Sequence, residues 1–530
     1  MTSRSVCLFL LAAGVVGLTA GGPQADGRAA RPSASKSKST PAWRQAAYVK
    51  ASNPRAGAQF GYAVALSSDG TTLAVGAQME ESAAAGINGH QDDHSTYGAG
   101  AVYVYTRRGD AWSQQAYIKA SNPGQDDQFG FNVSLSADGN TLAVSAPYED
   151  SAATGIDGDQ ADNSMPNSGA VYVFGRTGST WAQQAYIKAS NTGESEEGDQ
   201  FGYSISLSGD GNWLVVGAIG EDSAATGVNG NQKDNSAQGA GAAYVFTRSG
   251  RTWSQQAYLK AANAMANFLF GYSVAFSGDG STIAVGSFDE AGSSREINGP
   301  YDRRAAGTGA VYVFIRSGAT WSQQAYLKAK EGDRQDSMGC WVAISDDGNT
   351  VAAGALDEDT MVPGINVVQS GHSGVVDGPD DNSSGAAYVF VRNGTTWTEQ
   401  ANFKASNVGK HDWFGIRLNL SGDGNTLAVG APNEDSAAQG INGNQNDNSA
   451  DEAGAVYLFR RDGATWSQQV YFKGSNTEKF DEFSSGIALS RDGRTMAVGA
   501  HFESSGAKGI NGNQADNSMP QSGAVYVFVR

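Results

Sequence analysis

Residues 112–174 read WSQQAYIKASNPGQDDQFGFNVSLSADGNTLAVSAPYEDSAATGIDGDQADNSMPNSGAVYVF, and copies of this stretch fill almost the whole chain. Its opening Trp returns at spacings of 69, 69, 72, 68, 76 and 69 residues. A fixed period of this kind is typical of repeat architectures in which each copy forms one supersecondary unit. The seven tryptophans are Trp43, Trp112, Trp181, Trp253, Trp321, Trp397 and Trp466.

Each copy contains four apolar segments separated by clusters of Gly, Asn, Asp and Ser. This pattern predicts four antiparallel strands and no helix. In the second copy we name the strands A (Phe129–Ser136), B (Thr141–Ala146), C (Ala170–Phe174) and D (Trp181–Ala189). The same letters apply to every copy.

Alternation along strand A predicts that Phe129, Phe131, Val133 and Leu135 share one face, with small residues on the other. A sheet with large residues on one side and small ones on the other interlocks with a second sheet. Because one such sheet cannot bury both faces alone, the copies are expected to stack radially as propeller blades.

The two ends of the chain predict how the ring closes. Residues 43–50 form a D-type segment before any A strand has appeared, and the chain ends just after the C-type segment Ala524–Val529. Pairing these segments would complete the last blade and remove an exposed sheet edge. We therefore predict an all-β, seven-bladed β-propeller over residues 42–530, whose last blade (483–530) is completed by residues 43–50.

Composition indicates where the protein is located and which classes of partner it favours. The formal net charge is −18 and the pI is about 4.7, which disfavours nucleic acid and suits cations or basic partners, or simply solubility. Residues 1–20 resemble a secretory signal peptide whose apolar run is too short to cross a bilayer, and residues 21–41 have the composition of a flexible linker. We expect a secreted or cell-surface monomer without a transmembrane segment.

Strand direction sorts the connections into two faces. The A-to-B and C-to-D turns share one face, which we call the turn face, and the D-to-A and B-to-C loops share the other, the loop face. The A-to-B turns follow the pattern Ser-x-Asp-Gly, which is typical of hairpin turns. The loop face carries the long and variable segments, so a ligand site is expected there.

The motif Phe-Gly at the start of strand A, with Gly-Ala-Pro at the end of strand B, resembles the FG-GAP repeat of the integrin alpha-subunit propeller. Phe-Gly stands at Phe60-Gly61 and in four further copies, but becomes Met338-Gly339 in the fifth copy and Phe483-Ser484 in the seventh. Gly-Ala-Pro is complete only at residues 430–432. The resemblance implies a propeller. It also implies calcium in A-to-B loops with a D-x-D-x-D-G run, but these turns do not match that run and offer too few oxygens, so calcium is not expected there.

The B-to-C loops are candidate calcium sites instead, because Asp and Asn recur there at close spacing and hard cations prefer such oxygens. The same residues also cap turns without any metal, and both interpretations stay open at this point. The candidate ligands are Glu149, Asp150, Asp157, Asp159, Asp162 and Asn163 in the second copy, Asp222, Asn229, Asn231 and Asp234 in the third, and Asp435, Asn442, Asn444 and Asp447 in the sixth.

Other features are weaker candidates. His90 and His94 could hold a transition metal, although two loop histidines are usually surface residues. The fifth B-to-C loop, residues 357–384, departs most from the repeat and is either a binding site or a tolerated insertion. Cys340 replaces a core aromatic residue and is interpreted as a buried thiol.

These observations favour a secreted, non-catalytic binding or adhesion propeller that presents an acidic loop face to a protein or glycan partner. Calcium is the one candidate cofactor. A hydrolase or lyase acting on extracellular glycans is the first alternative, and it would draw on Arg295, Arg303 and Arg304 of the fourth copy. A structural component of the cell envelope is the second alternative.

Overall fold

A computed structural model describes residues 42–192, 198–368 and 382–530. Within them Trp43–Arg530 forms one compact unit. All regular elements in these residues are β-strands, and none of the residues belongs to a helix that could span a membrane. The expected signal peptide and linker lie outside the described residues.

Twenty-nine strands in the described residues form seven antiparallel sheets, one for each predicted blade. β1 is Arg44–Val49. The first blade has β2 (Phe60–Leu66), β3 (Thr72–Ala77), β4 (Ala101–Arg108) and β5 (Ala111–Ile118); the second has β6 (Val133–Leu135), β7 (Thr141–Ala146), β8 (Ala170–Thr177) and β9 (Thr180–Ile187); the third has β10 (Phe201–Leu207), β11 (Trp213–Ala218), β12 (Ala242–Ser249) and β13 (Thr252–Leu259). The fourth blade has β14 (Phe270–Phe276), β15 (Thr282–Ser287), β16 (Ala310–Ser317) and β17 (Thr320–Leu327); the fifth has β18 (Met338–Ile344), β19 (Thr350–Ala355), β20 (Gly364–Ile365), β21 (Ala386–Asn393) and β22 (Thr396–Lys404). The sixth has β23 (Arg417–Leu420), β24 (Thr426–Ala431), β25 (Ala455–Asp462) and β26 (Thr465–Phe472), and the seventh has β27 (Phe483–Leu489), β28 (Thr495–Ala500) and β29 (Ala524–Val529).

The ring closes as the sequence predicts. β1 pairs antiparallel with β29, with Tyr48 opposite Tyr526, and the sheet order is β1-β29-β28-β27. The first strand of the described residues is therefore the outer strand of the last blade. The A strand of the first blade, β2, also contacts β27, so the inner strands form a continuous ring.

Strand A differs from the prediction in one respect that matters for the channel. Phe129 and Val133 lie in the hydrophobic core between blades, but Phe131 does not share their face. Its ring packs against Tyr62 and Tyr203 at centroid distances of 5.4 and 5.3 Å. The cause is local: Gly130 has a φ of 95°, and this left-handed residue interrupts the regular alternation of side chains.

The core lies between neighbouring blades, and the repeated Trp residues pack there. Trp181 is 4% exposed and packs in one cluster with Val104 and Ile118 of the preceding blade. Its Nε1 donates a hydrogen bond to Gln115 Oε1 at 2.9 Å. Each blade therefore fixes the position of the next one.

The A-to-B turns hold one end of the central channel. Within each turn the Ser and Asp serve the backbone, as at Asp138, whose carboxylate accepts bonds from Ser136 Oγ and the Asn140 amide at 2.6 and 2.9 Å. Successive turns are also joined by backbone hydrogen bonds of 2.8 to 3.0 Å that run once around the ring. The donors are the amides of Ser68, Ala137, Gly209, Asp279, Asp346, Gly422 and Arg491, and the last donates to Ser68 O.

Candidate functional site

Buried ion pairs anchor the B-to-C loops of the loop face. In the second blade Lys188 Nζ donates to Glu149 Oε2 at 2.7 Å, and each side chain is 1% exposed. Tyr186 and Asn122 donate to the other oxygen, Glu149 Oε1, at 2.7 and 3.0 Å. Each blade has such a pair: Glu80–Lys119, Glu149–Lys188, Glu221–Lys260, Glu290–Lys328, Glu358–Lys404, Glu434–Lys473 and Glu503–Lys50.

The next part of each loop covers the outer edge of its own blade. Ile156 forms a β-bridge with Ile187 of strand D, and Asp157 Oδ1 accepts a hydrogen bond from the Tyr186 amide at 3.0 Å. Other copies repeat both contacts, for example at Val228 and Asn229. The recurrent loop sequence therefore protects a sheet edge that would otherwise be open to pairing.

The predicted calcium ligands are mostly bonded to the protein itself. Besides Asp157, the side chains of Asp150, Asp159 and Asp162 accept backbone hydrogen bonds of 2.9 to 3.0 Å. Glu149 lies apart from them in its ion pair. Equivalent backbone contacts are made by Asp222, Asn229, Asn231 and Asp234 in the third copy and by Asp435, Asn442 and Asn444 in the sixth; Asp447 accepts there through its carbonyl oxygen, from the Ala437 amide.

These contacts show the turn-capping role that was one of the two open interpretations. Among the described residues, no group of three or more His, Cys, Asp or Glu side chains has a geometry that could hold a metal ion. The carboxylates listed above still have oxygens beyond those that cap the loops. Calcium binding therefore stays a prediction.

The weaker candidates are scattered. Arg304 has a side chain that is 83% exposed and lies 3.9 Å from Asp302, while Arg295 pairs with Asp333. His90 contributes its carbonyl oxygen to a loop hydrogen bond from Ser82. Cys340 is buried as expected, and burial raises the pKa of its thiol to about 12. In the fifth loop His372, Asp377, Asp380 and Asp381 lie outside the described residues.

One carboxyl near the Glu149 pair has an unusual environment that the sequence analysis missed. Asp127, in the D-to-A loop, is 3% exposed and accepts the Gly124 amide at 2.7 Å. Burial, reinforced by the charges of Glu149 and Asp150, raises its pKa to about 7. Asp412 and Asp481 occupy the same position in two other copies, and burial raises their pKa values to about 7 and about 8.

A second departure from repetition lies in the central channel. A cavity of about 410 Å³ is lined by the A strands of all seven blades. Four aromatic side chains form an arc at the loop-face end, where the A strands begin. They are Tyr62, Phe131, Tyr203 and Tyr272, and successive ring centroids are 5.0 to 5.4 Å apart.

Arg417 is the one charged side chain among the residues that line this cavity. Its guanidinium carbon lies 4.2 Å from the centroid of the Trp341 ring and 6.0 Å from that of Tyr62. Nε donates to Ser485 O at 3.0 Å and Nη1 to Ile416 O at 3.2 Å. In the part of the chain that the structure describes, no carboxylate oxygen lies within 4.0 Å of this guanidinium.

The titratable groups beside Arg417 do not balance its charge fully at neutral pH. His501 packs edge-on against Tyr62, and burial, with Arg417 nearby, lowers its pKa to about 3, so the imidazole is neutral. Glu482 Oε2 lies 3.7 Å from His501 Nε2, and burial raises the pKa of this carboxyl to about 7. At neutral pH Glu482 is therefore partly protonated, while the Arg417 guanidinium is permanently charged.

Comparison with known proteins identifies the repeat. The sequence profile of the FG-GAP repeat matches residues 43–105, 112–174, 181–246, 253–314 and 397–459, which together make up more than half of the chain. The chain belongs to the FG-GAP repeat family. The propeller is also similar to a solved structure provisionally described as a 6-phosphogluconolactonase from Bacteroides uniformis, with 11% identity, a TM-score of 0.44, and coverage of 78% of this chain and 85% of the other. No curated protein matches the sequence.

A signal for Arg417 was present in the sequence of this FG-GAP propeller. The residue after Phe-Gly-x is Ala63, Asn132, Ser204, Ser273, Trp341, Arg417 or Gly486, in chain order. No other charged residue occurs in the A segments of the seven copies, from the Phe-Gly position to the last apolar residue. This departure is visible in the sequence when the A segments of the seven copies are aligned, and the loop sequences carry no sign of it.

Proposed function

We propose that this FG-GAP propeller is a secreted, non-catalytic binding protein whose loop face takes a protein partner bearing basic groups. A β-propeller of FG-GAP repeats fits a binding role. The observation that carries the proposal is the placement of Asp157 and Asp159, which are exposed on a B-to-C loop while backbone amides hold their carboxylates. Fixed and exposed acids of this kind attract a complementary basic surface.

The anchoring of the loops supports the same function. Because the second-copy loop is tied to its blade by a buried Glu–Lys pair and a β-bridge, little conformational entropy is lost when a partner orders it. The net charge of −18 adds long-range attraction for a basic partner and is sensitive to salt. Calcium is the candidate assisting ion in this proposal, and binding measured with calcium and with EDTA tests it.

The test compares two double variants with the same change in charge. Asp157→Asn/Asp159→Asn alters the loop face and preserves its fold, because Asn229 and Asn231 stand at the same positions in the third copy. Asp110→Asn/Asp462→Asn changes two exposed acids on the turn face. Binding to a lysine-rich peptide, to chitosan oligosaccharide and to neutral dextran is measured by biolayer interferometry at low and physiological salt, with calcium and with EDTA.

We expect the lysine-rich peptide to bind, and the loop-face variant to weaken this binding about threefold or more while the turn-face variant changes it less. Stronger binding with calcium than with EDTA would support the assisting ion. Equal weakening by both variants would show that only net charge matters and would contradict the proposal. Binding to chitosan but not to the peptide would replace the protein partner with a glycan.

A further inference from the structure

The channel cavity has the size and lining of a ligand site that is separate from the loop face. Its volume of about 410 Å³ falls within the range of roughly 300–1,000 Å³ that is common for small-molecule pockets. Most lining side chains are apolar or aromatic, with a few polar groups such as Asn132 and Asn419. More than half of the surface that these residues present to the cavity is nevertheless polar, so the cavity suits a ligand that combines an apolar body with polar groups.

The two ends of the channel differ in a way that sets the direction of entry. At the turn face the hydrogen-bonded ring of A-to-B turns surrounds the axis, and the Arg491–Asp346 ion pair lies over Gly422. At the loop face the A strands begin with the aromatic arc, whose members Tyr62 and Tyr203 are only partly buried. A ligand would therefore enter from the loop face and meet the aromatic side chains first.

Arg417 determines the charge of the ligand. Each of the seven buried lysines has a glutamate partner, but the described part of the chain supplies no carboxylate within 4.0 Å of Arg417. Its Nη2 donates no hydrogen bond within the described residues, whereas Nε and Nη1 are held by carbonyl oxygens. A half-buried guanidinium with an unused nitrogen gains most from an anion, because charge-assisted bonds to Arg are the strong ones.

The aromatic side chains determine the body of the ligand. Trp341 and Tyr62 lie against the guanidinium, and the aromatic arc continues from Tyr62 to Tyr272 along the cavity wall. Rings at this spacing accept a further ring in stacked or edge-on contact. A planar, apolar group is therefore favoured over a highly hydroxylated one.

We propose that the central channel binds a small organic anion, namely a monocarboxylate with a flat apolar body, with its carboxylate on Arg417 Nη2 and its body against the aromatic arc. The bound carboxylate supplies the counter-charge that the seven lysines obtain from their glutamates. This site is independent of the macromolecular partner proposed for the loop face. Removing one activity should leave the other unchanged.

The test uses three probes that share a phenyl body and differ in charge: phenylacetate, 2-phenylethanol and phenethylamine. Their binding to the full propeller is measured by isothermal titration calorimetry and by the shift in melting temperature. The variants are Arg417→Gln, which removes the charge, Arg417→Lys, which keeps it, and the control Arg295→Gln, which changes an arginine outside the cavity.

For the unaltered protein we expect phenylacetate to bind about tenfold more tightly than 2-phenylethanol, because one charge-assisted hydrogen bond contributes about that much to the affinity. Phenethylamine should bind least. Arg417→Gln should abolish the preference for phenylacetate, Arg417→Lys should retain part of it, and Arg295→Gln should not alter it. The comparison of probes needs no variant, so it stands even if Arg417→Gln fails to fold. Equal affinity for the three probes, preference for phenethylamine, or no phenylacetate binding up to its solubility limit would overturn the proposal.

Discussion

Lys188 and Arg417 both place a positive charge inside the propeller, but their surroundings differ. Lys188 is 1% exposed and donates to Glu149 and to Ser168 Oγ, at 2.7 and 2.6 Å. Arg417 lies in the channel against Trp341, and the groups that accept from it are two neutral carbonyl oxygens. The lysine belongs to a set of seven, and the arginine occurs once. The repeated charged groups therefore stabilise the fold, whereas the charge of Arg417, which does not recur, has no carboxylate partner among the described residues.

The largest effect is expected where the repeated pair also closes the ring. Lys50 donates to Glu503 and to Ser522 Oγ, both at 2.8 Å, and directly follows β1. Lys50→Met leaves Glu503 buried without its cation, so we expect a loss of about 3–5 kcal/mol in the free energy of unfolding. Urea denaturation measures the loss, and limited proteolysis should show earlier cleavage near β1.

The control for this variant is Arg44→Gln in the same segment. Arg44 pairs with Asp110 at 3.2 Å on the surface, and pairs of that kind contribute about 0–1 kcal/mol. If both variants lost the same free energy, the buried pair would not be what holds the closing strand.

A somewhat smaller loss of stability is expected when the broken Glu–Lys pair lies in a blade whose four strands follow one another in the chain. Glu149→Gln leaves Lys188 without a carboxylate and should cost about 3 kcal/mol. The double variant Glu149→Gln/Lys188→Met should recover much of this loss, because the unpaired charge is then absent. Glu296→Gln on an exposed loop is the control and should change the free energy of unfolding by less than about 0.5 kcal/mol. No recovery in the double variant would mean that packing, rather than charge, dominates.

The buried acid beside this pair predicts a dependence on pH. Since the folded pKa of Asp127 is raised to about 7 from an ordinary value of 3.8, the folded state holds this proton more tightly than the unfolded state. The contribution of Asp127 is therefore fully present below pH 4 and is lost as the pH rises towards 7. Asp127→Asn should become more stable relative to the unaltered protein over this interval, by roughly 1–3 kcal/mol.

Urea denaturation at several pH values between 4 and 8 checks this prediction, with Asp126→Asn as the control because the neighbouring Asp126 is exposed. A difference between Asp127→Asn and the unaltered protein that stays constant with pH would show that Asp127 is ionised throughout.

The fold could be predicted from the sequence because every copy repeats the same strand and turn signals, and because residues 43–50 had no other place to pair. The A strand was harder to predict, since a left-handed glycine such as Gly130 reverses the expected face of Phe131 without any change in hydrophobic pattern. The loop acids were partly misleading for a related reason. Glu149 pairs with Lys188, which lies 39 residues away, and no local spacing indicates that contact.

The smallest change in stability is expected for replacement of Arg417. This replacement tests directly whether Arg417 differs from the seven buried lysines. Arg417→Gln removes a cation–π contact with Trp341 but also removes a charge that has no carboxylate partner, so we expect a change of less than about 1 kcal/mol in the free energy of unfolding. Arg461 is the matched control, because it stacks on Trp466 at 5.3 Å and donates to Asn425, Gln400 and Thr350. Arg461→Gln should therefore cost more, about 1–2 kcal/mol. Urea denaturation measures the free energy of unfolding of both variants. If Arg417→Gln cost as much as Glu149→Gln, Arg417 would stabilise the fold as the seven lysines do. The proposal that its charge is left for a bound anion would then be contradicted.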